Sequence, residues 1–183
     1  TFLYIKCIFL GMKDFIFEPI NTNTIQKCHE LNEKNVPNVG SRSLKGLTNS
    51  LENSDYSECI LFRDQVVGFV ICFLDSEITK SYMEQIDHKN FREISNRVSN
   101  FLYIDRIAVD TEYRNKKLGS QLYSNIVNFS KNNSITSLTA EINLLPSINI
   151  SSFEFHKKFN FYEIDTVKYS EDYEVSLQKK EIN

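Results

Sequence analysis

The spacing of apolar and polar positions changes along the first third of the chain, and each change predicts a new element. Residues 14–20 (DFIFEPI) carry closely spaced apolar side chains and predict a short strand. Residues 21–35 begin with N-cap residues and predict an amphipathic helix with apolar positions at helical spacing, namely Ile25, Cys28 and Leu31. The pattern then predicts a loop over 36–41 and a weaker second helix over 43–54.

A hairpin follows, because two runs rich in β-forming residues flank a polar corner. The runs cover 58–64 and 65–74, the corner falls at Asp64–Gln65, and Gly68 inside the second run indicates a bulge or close packing. Residues 75–100 are polar, with helical character towards their end. They predict either an insertion bordering a substrate cleft or a long surface connection.

The second half of the chain is more regular. It predicts five further elements: a strand over 101–110, a helix over 117–133, a strand over 134–143, a helix over 149–160, and a final hairpin over 161–170 and 173–182 turning at Glu171–Asp172. Strands mixed with helices in this order predict the α/β (α+β) class, a mixed sheet with helices on its faces.

Composition narrows the function classes. The chain has 183 residues, a net charge of −3 and a pI near 5.7, without the sustained basic surface of a nucleic-acid binder. Its four cysteines are scattered, which fits free thiols in a reducing cytoplasm. The three histidines lie far apart in sequence, so no metal site is expected.

The N-terminal residues are treated separately. Residues 1–11 precede Met12, and we interpret them as an upstream extension, the alternative being an additional strand. Their apolar run is too short to cross a bilayer and lacks the features of a signal peptide, so no membrane association is expected. Residues 12–183 are predicted to form a single domain.

The segment YRNKKLGSQLY (113–123) lies between a predicted strand and a predicted helix. A helix N-terminus offers unpaired N–H groups and positive dipole to an anion, and the cations beside Gly119 add charge. Alone, the segment is more typical of a solvated basic turn than of a phosphate site.

Together with the segment AEINLLPSINISSFEFHKKFNFYEI, it resembles the GNAT superfamily of N-acetyltransferases. The acetyl-CoA loop of that family, R/Q-x-x-G-x-G/A, fits Arg114 and Gly119, with Lys117 at the first glycine position. The later family signature places His156 at a tyrosine position and Asn160 at a glycine position, and matches at Asn149, Ser152, Phe155, Lys158, Phe159 and Phe161. LNEKNVPNVGS and NFLYIDRIAV look like a bacterial subgroup of predicted acetyltransferases.

The resemblance implies a mixed, mostly antiparallel central sheet with helices on both faces, and acetyl-CoA as co-substrate, with no metal. Acetyl-CoA would lie between the strands at 101–110 and 134–143. The residues implied to bind it are Ile107, Ala108, Val109, Arg114, Asn115, Lys116, Lys117, Leu118, Gly119, Ser120, Asn149, Ser152 and Phe155. If Lys117 can take a right-handed conformation, its ammonium adds to the anion site. If its position requires positive φ, affinity falls.

Three residues are candidates for proton transfer. Asp105 is the first candidate base, and strand alternation would place it on the same face as Tyr103 and Ile107; its alternative role is a structural ion pair. Glu141 is the competing base. His156 is a candidate acid for the departing thiolate, with a water or Tyr162 as the alternative donor.

These features predict transfer of an acetyl group from acetyl-CoA to a primary amine of a small molecule or amino acid, by direct attack in a ternary complex. The alternative is a non-catalytic acyl-CoA-binding module of the same fold. A small-molecule amine is the expected partner, with neither nucleic acid nor membrane, and a homodimer is a candidate assembly. Tyr82, Phe91, Tyr103 and Tyr123 are candidates for lining the acceptor pocket.

Overall fold

A computed structural model describes residues 12–183, and the predicted extension at 1–11 lies outside the described residues. Its centre is a seven-stranded sheet in the order β1-β2-β3-β4-β5-β7-β6. The strands are β1 (Ile16–Glu18), β2 (Tyr56–Phe62), β3 (Gln65–Leu74), β4 (Phe101–Val109), β5 (Ser137–Leu145), β6 (Tyr162–Ser170) and β7 (Tyr173–Glu181).

Six α-helices lie on the two faces of this sheet within the described range. They are α1 (Ile25–Lys34), α2 (Leu44–Glu52), α3 (Glu77–Gln85), α4 (Lys89–Ser95), α5 (Leu118–Asn132) and α6 (Ile150–Lys158). The predicted order of elements and the predicted mixed, mostly antiparallel sheet are confirmed. In the first hairpin the turn falls at Arg63–Asp64, both with positive φ, one residue earlier than predicted.

The residues predicted as an insertion, 75–100, fold into α3 and α4. Ser76 caps α3 by accepting a hydrogen bond from the Thr79 amide at 3.1 Å. Two α4 side chains, Phe91 and Ile94, are almost fully buried in the core on this side of the sheet. The segment is therefore a packed helical pair rather than a surface connection.

One pair of neighbouring strands in the described sheet, β4 and β5, is parallel, and it separates early. Pairing joins Phe101–Tyr103 to Ser137–Thr139, whereas both strands continue for several residues beyond. From Ile104 onwards β4 stays paired with β3, but its other edge faces an opening instead of β5. This divergence creates the space for the site.

A β-bulge at Asp105 reorients the second half of β4. Arg106 pairs with Ile71 and Ile104 pairs with Cys72, so Asp105 has no partner on β3. Tyr103 belongs to the core cluster beneath α1–α4, whereas Ile107 packs against the cluster beneath α5. The prediction that Tyr103 and Ile107 share a face was wrong, because the extra residue of a bulge reverses the alternation.

Candidate active site

A cleft of about 1480 Å³ opens where β4 and β5 diverge. One half is bounded by the start of α5 and by α6, and the other by the loop at 38–42, the start of α4 and Tyr173 of β7. Every residue predicted for catalysis or acetyl-CoA binding lines this cleft, with the exception of Lys116. The fold thus brings together residues from positions 105 to 156.

The basic turn before α5 presents free backbone N–H groups. The amides of residues 115–120 donate no hydrogen bond to any described residue, and no side chain caps the helix. Lys117 has a φ of 64°, so the position does require a left-handed conformation and the lysine adopts it. Unpaired amides at a helix start attract phosphate oxygens.

Glycine is favoured at position 119 because a side chain there would crowd Phe155, not because the backbone is left-handed. A Cβ atom at this position would lie 3.1 Å from the Cζ atom of Phe155. Leu118 is 1% exposed and belongs to the core, so its backbone N–H is the part that can serve the cleft. The close approach of α5 and α6 at Gly119 fixes one wall of the site.

The α6 residues of the site are tied to one another and to α5. Asn149 caps α6 by accepting the Ser152 amide at 3.1 Å. His156 donates from Nδ1 to the Ser152 carbonyl at 2.8 Å, and its Nε2 accepts from the Tyr123 hydroxyl at 2.8 Å. Burial lowers the pKa of His156 to about 4, with the Ser152 carbonyl opposing the shift. His156 is therefore neutral near pH 7, with both ring nitrogens engaged.

Asp105 is held in a buried ion network. Its Oδ1 lies 2.8 Å from Nε2 of His88, and its Oδ2 lies 3.0 Å from Nε of Arg106. Burial alone would raise the pKa of Asp105, but the Arg106 charge and the His88 hydrogen bond outweigh it and lower that pKa. Burial would lower the pKa of His88, and the bond and charge of Asp105 raise it instead. Asp105 is a stabilised anion.

Arg106, the cation of this network, is fixed from the opposite side. Its Nη1 donates to Oδ1 of Asn32 at 2.8 Å and to the Gly40 carbonyl at 2.7 Å. The network therefore connects β4 to α1 and to the loop that borders the cleft.

Glu141 has the contrasting environment. Its Oε2 accepts a hydrogen bond from the Tyr103 hydroxyl at 2.6 Å, across the split between β4 and β5. Burial is the largest cause acting on the Glu141 pKa and raises it, while the charge of His88 and the Tyr103 hydrogen bond oppose the rise. A carboxylate with a raised pKa is suited to accept a proton.

Sequence reasoning missed three residues that surround Glu141 or Asp105, namely His88, Asn90 and Tyr173. His88 and Asn90 stand at the start of α4, and Asn90 donates from Nδ2 to the Tyr173 hydroxyl at 3.0 Å. All three line the cleft. The polar histidine and asparagine immediately before an apolar helical stretch were the available signal.

Other sequence candidates lie elsewhere. Tyr82, Phe91, Tyr103 and Tyr123 are buried, and none of them lines the cleft, although Tyr103 reaches Glu141. Tyr162 is 47% exposed and donates to Glu181 at 3.0 Å, outside the cleft. Tyr162 is therefore not placed to protonate a thiolate there.

Residues 12–183 contain neither a metal-binding cluster nor a membrane-spanning helix. No cluster of three or more His, Cys, Asp or Glu side chains in this range is placed to hold a metal ion. No helix in the same range has the length and apolar character needed to cross a bilayer.

Residues 25–161 match the sequence model of the acetyltransferase (GNAT) family. The chain belongs to this GNAT family. The predicted resemblance to the GNAT superfamily and the predicted enzyme class are thereby confirmed, and the co-substrate of this GNAT protein is acetyl-CoA. No curated protein sequence matches the chain.

Solved structures share the GNAT fold over nearly the whole chain. The ribosomal-protein-S18-alanine N-acetyltransferase from Escherichia coli gives a TM-score of 0.67 at 12% identity, covering 92% of this chain and 94% of that one. Ard1 from Thermoplasma volcanium gives 0.73 at 13% identity, covering 93% and 99%. Arabidopsis thaliana NAA60, solved with a bisubstrate analogue, gives 0.70 at 16% identity, covering 92% and 98%.

Proposed function

We propose that this GNAT protein transfers the acetyl group of acetyl-CoA to a primary amine of a small molecule or amino acid, by direct attack in a ternary complex. The observation that carries the proposal is the position of Glu141. It stands in the split between β4 and β5, is bonded by Tyr103 at 2.6 Å, and has a pKa raised by burial.

The half of the cleft near α5 supports acetyl-CoA binding. Backbone groups of Ile107–Val109 face the opening without a strand partner on that side, and would bond the amides of the pantetheine arm. The free amides of residues 115–120 would hold the pyrophosphate, because Lys117 adopts the left-handed conformation that this turn needs. Asn149, on the opposite wall, would reach the pantetheine arm.

We assign the base role to Glu141 rather than Asp105. An acceptor ammonium must lose a proton before its nitrogen can attack the thioester carbon. The lowered pKa of Asp105, paired with Arg106 and His88, makes it a weak proton acceptor. Its role is to fix the β4 bulge and the start of α4, whereas the raised pKa of Glu141 fits the reaction.

The nitrogen then bonds to the thioester carbon, the carbon–sulfur bond breaks with its electron pair leaving on sulfur, and the nitrogen releases its second proton to water to give the amide. We assign protonation of the thiolate to a water molecule. His156 has a pKa lowered to about 4, so near neutral pH its ring carries one proton, on Nδ1, which is bonded to the Ser152 carbonyl, while Nε2 accepts from Tyr123. A thiol titrates near ~8.5, so its anion leaves without a strong acid.

Direct transfer is supported by the nucleophiles of the site. Cys28, Cys59 and Cys72, the cysteines among residues 12–183, are buried outside the cleft. Ser152 lies 3.2 Å from Nδ1 of His156, but that nitrogen donates to the Ser152 carbonyl and cannot take the serine proton. The three buried free thiols also fit a reducing cytoplasm, where we place the reaction.

The half of the cleft near α4 supports a small acceptor. The loop at 38–42, residues 86–90 and Tyr173 line the cleft together with Glu141. This enclosure favours a short amine over a bulky one. The name of the Escherichia coli neighbour describes a protein acceptor, so peptides belong among the compounds to be compared.

Thiol release from acetyl-CoA tests the proposal, measured with a panel of amines, amino acids and short peptides. We expect amine-dependent release with one thiol and one acetylated amine per turnover, and thermal stabilisation by CoA alone. No release with any amine would contradict the proposed transfer. No thermal shift at millimolar CoA would contradict the binding site itself.

A further inference from the structure

The Asn90 side chain has one unsatisfied polar atom next to the proposed base. Asn90 is the second residue of α4 and is 7% exposed. Its Nδ2 donates to the Tyr173 hydroxyl at 3.0 Å, whereas its Oδ1 has no hydrogen-bond partner among residues 12–183. Buried amide oxygens normally find a donor, because leaving one unbonded costs free energy.

The position of this oxygen indicates which donor it fits. Asn90 lines the half of the cleft that we assign to the acceptor. Its amide group lies near enough to Glu141 to oppose the rise of the Glu141 pKa that burial causes. The oxygen is covered in this conformation, and a turn about the soft χ2 torsion of the asparagine would expose it while breaking the bond from Nδ2 to Tyr173. A donor that met the turned oxygen would lie in the cleft that Glu141 also lines.

An acceptor amine has such a donor. An ammonium group carries three N–H bonds; one proton passes to Glu141, the freed lone pair attacks the thioester carbon, and at least one N–H remains. We propose that Asn90 Oδ1 accepts this remaining N–H and thereby positions the amine between Glu141 and the thioester. The inference rests on the proposed N-acetylation.

The same contact selects the class of acceptor. An alcohol or a thiol that loses its proton to Glu141 has no hydrogen left to donate, so Asn90 Oδ1 stays unbonded. Sites that are built to bond a substrate group discriminate against analogues that lack it, because a buried polar atom is then left without a partner. The α3–α4 insertion therefore contributes to the preference for amines over hydroxyl acceptors.

Amine binding without turnover tests the proposal. Ethanolamine, spermidine, glycinamide and alanylglycine are each titrated calorimetrically into the full chain saturated with CoA, which has no acetyl group to transfer. We expect Asn90→Ala to weaken binding of the best of these amines about tenfold or more, as loss of a hydrogen bond to a charged group does. Asn90→Asp keeps an acceptor oxygen and should restore affinity to within about threefold.

Three controls make the result specific. Asn96→Ala, at the exposed C-terminal end of the same helix, should bind both amine and CoA as the wild type does. CoA affinity should be equal in all variants, and Asn90→Leu replaces Asn90→Ala if the latter fails to fold. In the active enzyme, Asn90→Ala should raise KM for the amine more than it lowers kcat.

Equal amine affinity in wild type and Asn90→Ala, or no binding of any of these amines to the wild type, would overturn the proposal. Binding and thiol release, measured separately, also distinguish failure of this amine site from failure of the proposed acetyl transfer. If amines bind through Asn90 but no thiol is released from acetyl-CoA, the amine site stands and acetyl transfer does not.

Discussion

The Tyr103 hydroxyl donates a hydrogen bond to Oε2 of Glu141 at 2.6 Å, and this contact crosses the gap between two parallel strands that no longer pair. A hydrogen bond to a carboxylate favours its charged form and lowers its pKa. In Tyr103→Phe we therefore expect the Glu141 pKa to rise further. The acid limb of kcat/KM against pH should move to higher pH by about one unit, as for a bond of ~1.4 kcal/mol.

Tyr82→Phe is the matched control for this pH profile. Tyr82 is also a buried tyrosine, but its hydroxyl lies 3.2 Å from the Ser50 hydroxyl, away from the cleft. The acid limb of kcat/KM against pH for Tyr82→Phe should coincide with that of the wild type. An unmoved limb in Tyr103→Phe would show that Glu141 is not the group that titrates.

Asp105 is expected to contribute to stability rather than to proton transfer. Asp105→Asn leaves the buried Arg106 and His88 without their anion, which should lower the free energy of unfolding by about 3 kcal/mol. Because the folded pKa of Asp105 lies below the unfolded value, this contribution is complete above about pH 5 and is lost as pH falls.

Denaturant unfolding at pH 7 measures the Asp105 effect, with Asp165→Asn as control. Asp165 pairs with Arg97 at the surface, where an ion pair contributes about 0–1 kcal/mol. The folded fraction of Asp105→Asn should keep its turnover to within about tenfold. A loss of 10²–10⁴ in turnover with unchanged stability would instead identify Asp105 as the base, the range being roughly that of acid–base catalysis.

The Tyr123–His156 pair should behave as a structural contact. Each single change, Tyr123→Phe or His156→Phe, leaves a buried partner unbonded and should cost about 1–3 kcal/mol. The double variant removes both partners, so its cost should be less than the sum by about 1–2 kcal/mol. Turnover in His156→Phe that falls roughly 10²-fold or more at unchanged stability would restore His156 as the acid.

Lys117 carries backbone strain that glycine would relieve. A left-handed conformation costs a non-glycine residue about 1–2 kcal/mol, so Lys117→Gly should raise the free energy of unfolding by roughly 0.5–1 kcal/mol. Lys116→Gly removes the same charge beside it, where φ is not positive, and should destabilise. A loss of stability in both variants would show that Lys117 is unstrained.

Strong local patterns made much of this fold predictable. The hairpins, α5 and the β4-α5-β5-α6 order follow from periodicity, and residues of both family motifs lie together along the cleft. These features depend on residues that are close in sequence. The family resemblance was therefore specific where the motif residues are contiguous.

The half of the cleft near α4 was less predictable because it depends on long-range contacts. The bulge at Asp105 follows from its register with β3, which the alternation of β4 does not encode. His88 and Asn90 stand in a polar stretch without a motif, and they reach the site through packing of α4 on the sheet. The opposite pKa shifts of Asp105 and Glu141 likewise arise from partners distant in sequence.

Steady-state transfer by Glu141→Gln tests the central claim most directly. The variant keeps the shape and an acceptor oxygen for Tyr103 but removes the base. We predict that kcat falls by about 10²–10⁴ with CoA affinity unchanged. Glu171→Gln, in the exposed turn between β6 and β7, should be fully active. Wild-type turnover in Glu141→Gln would contradict the assignment of Glu141 as the group that activates the amine.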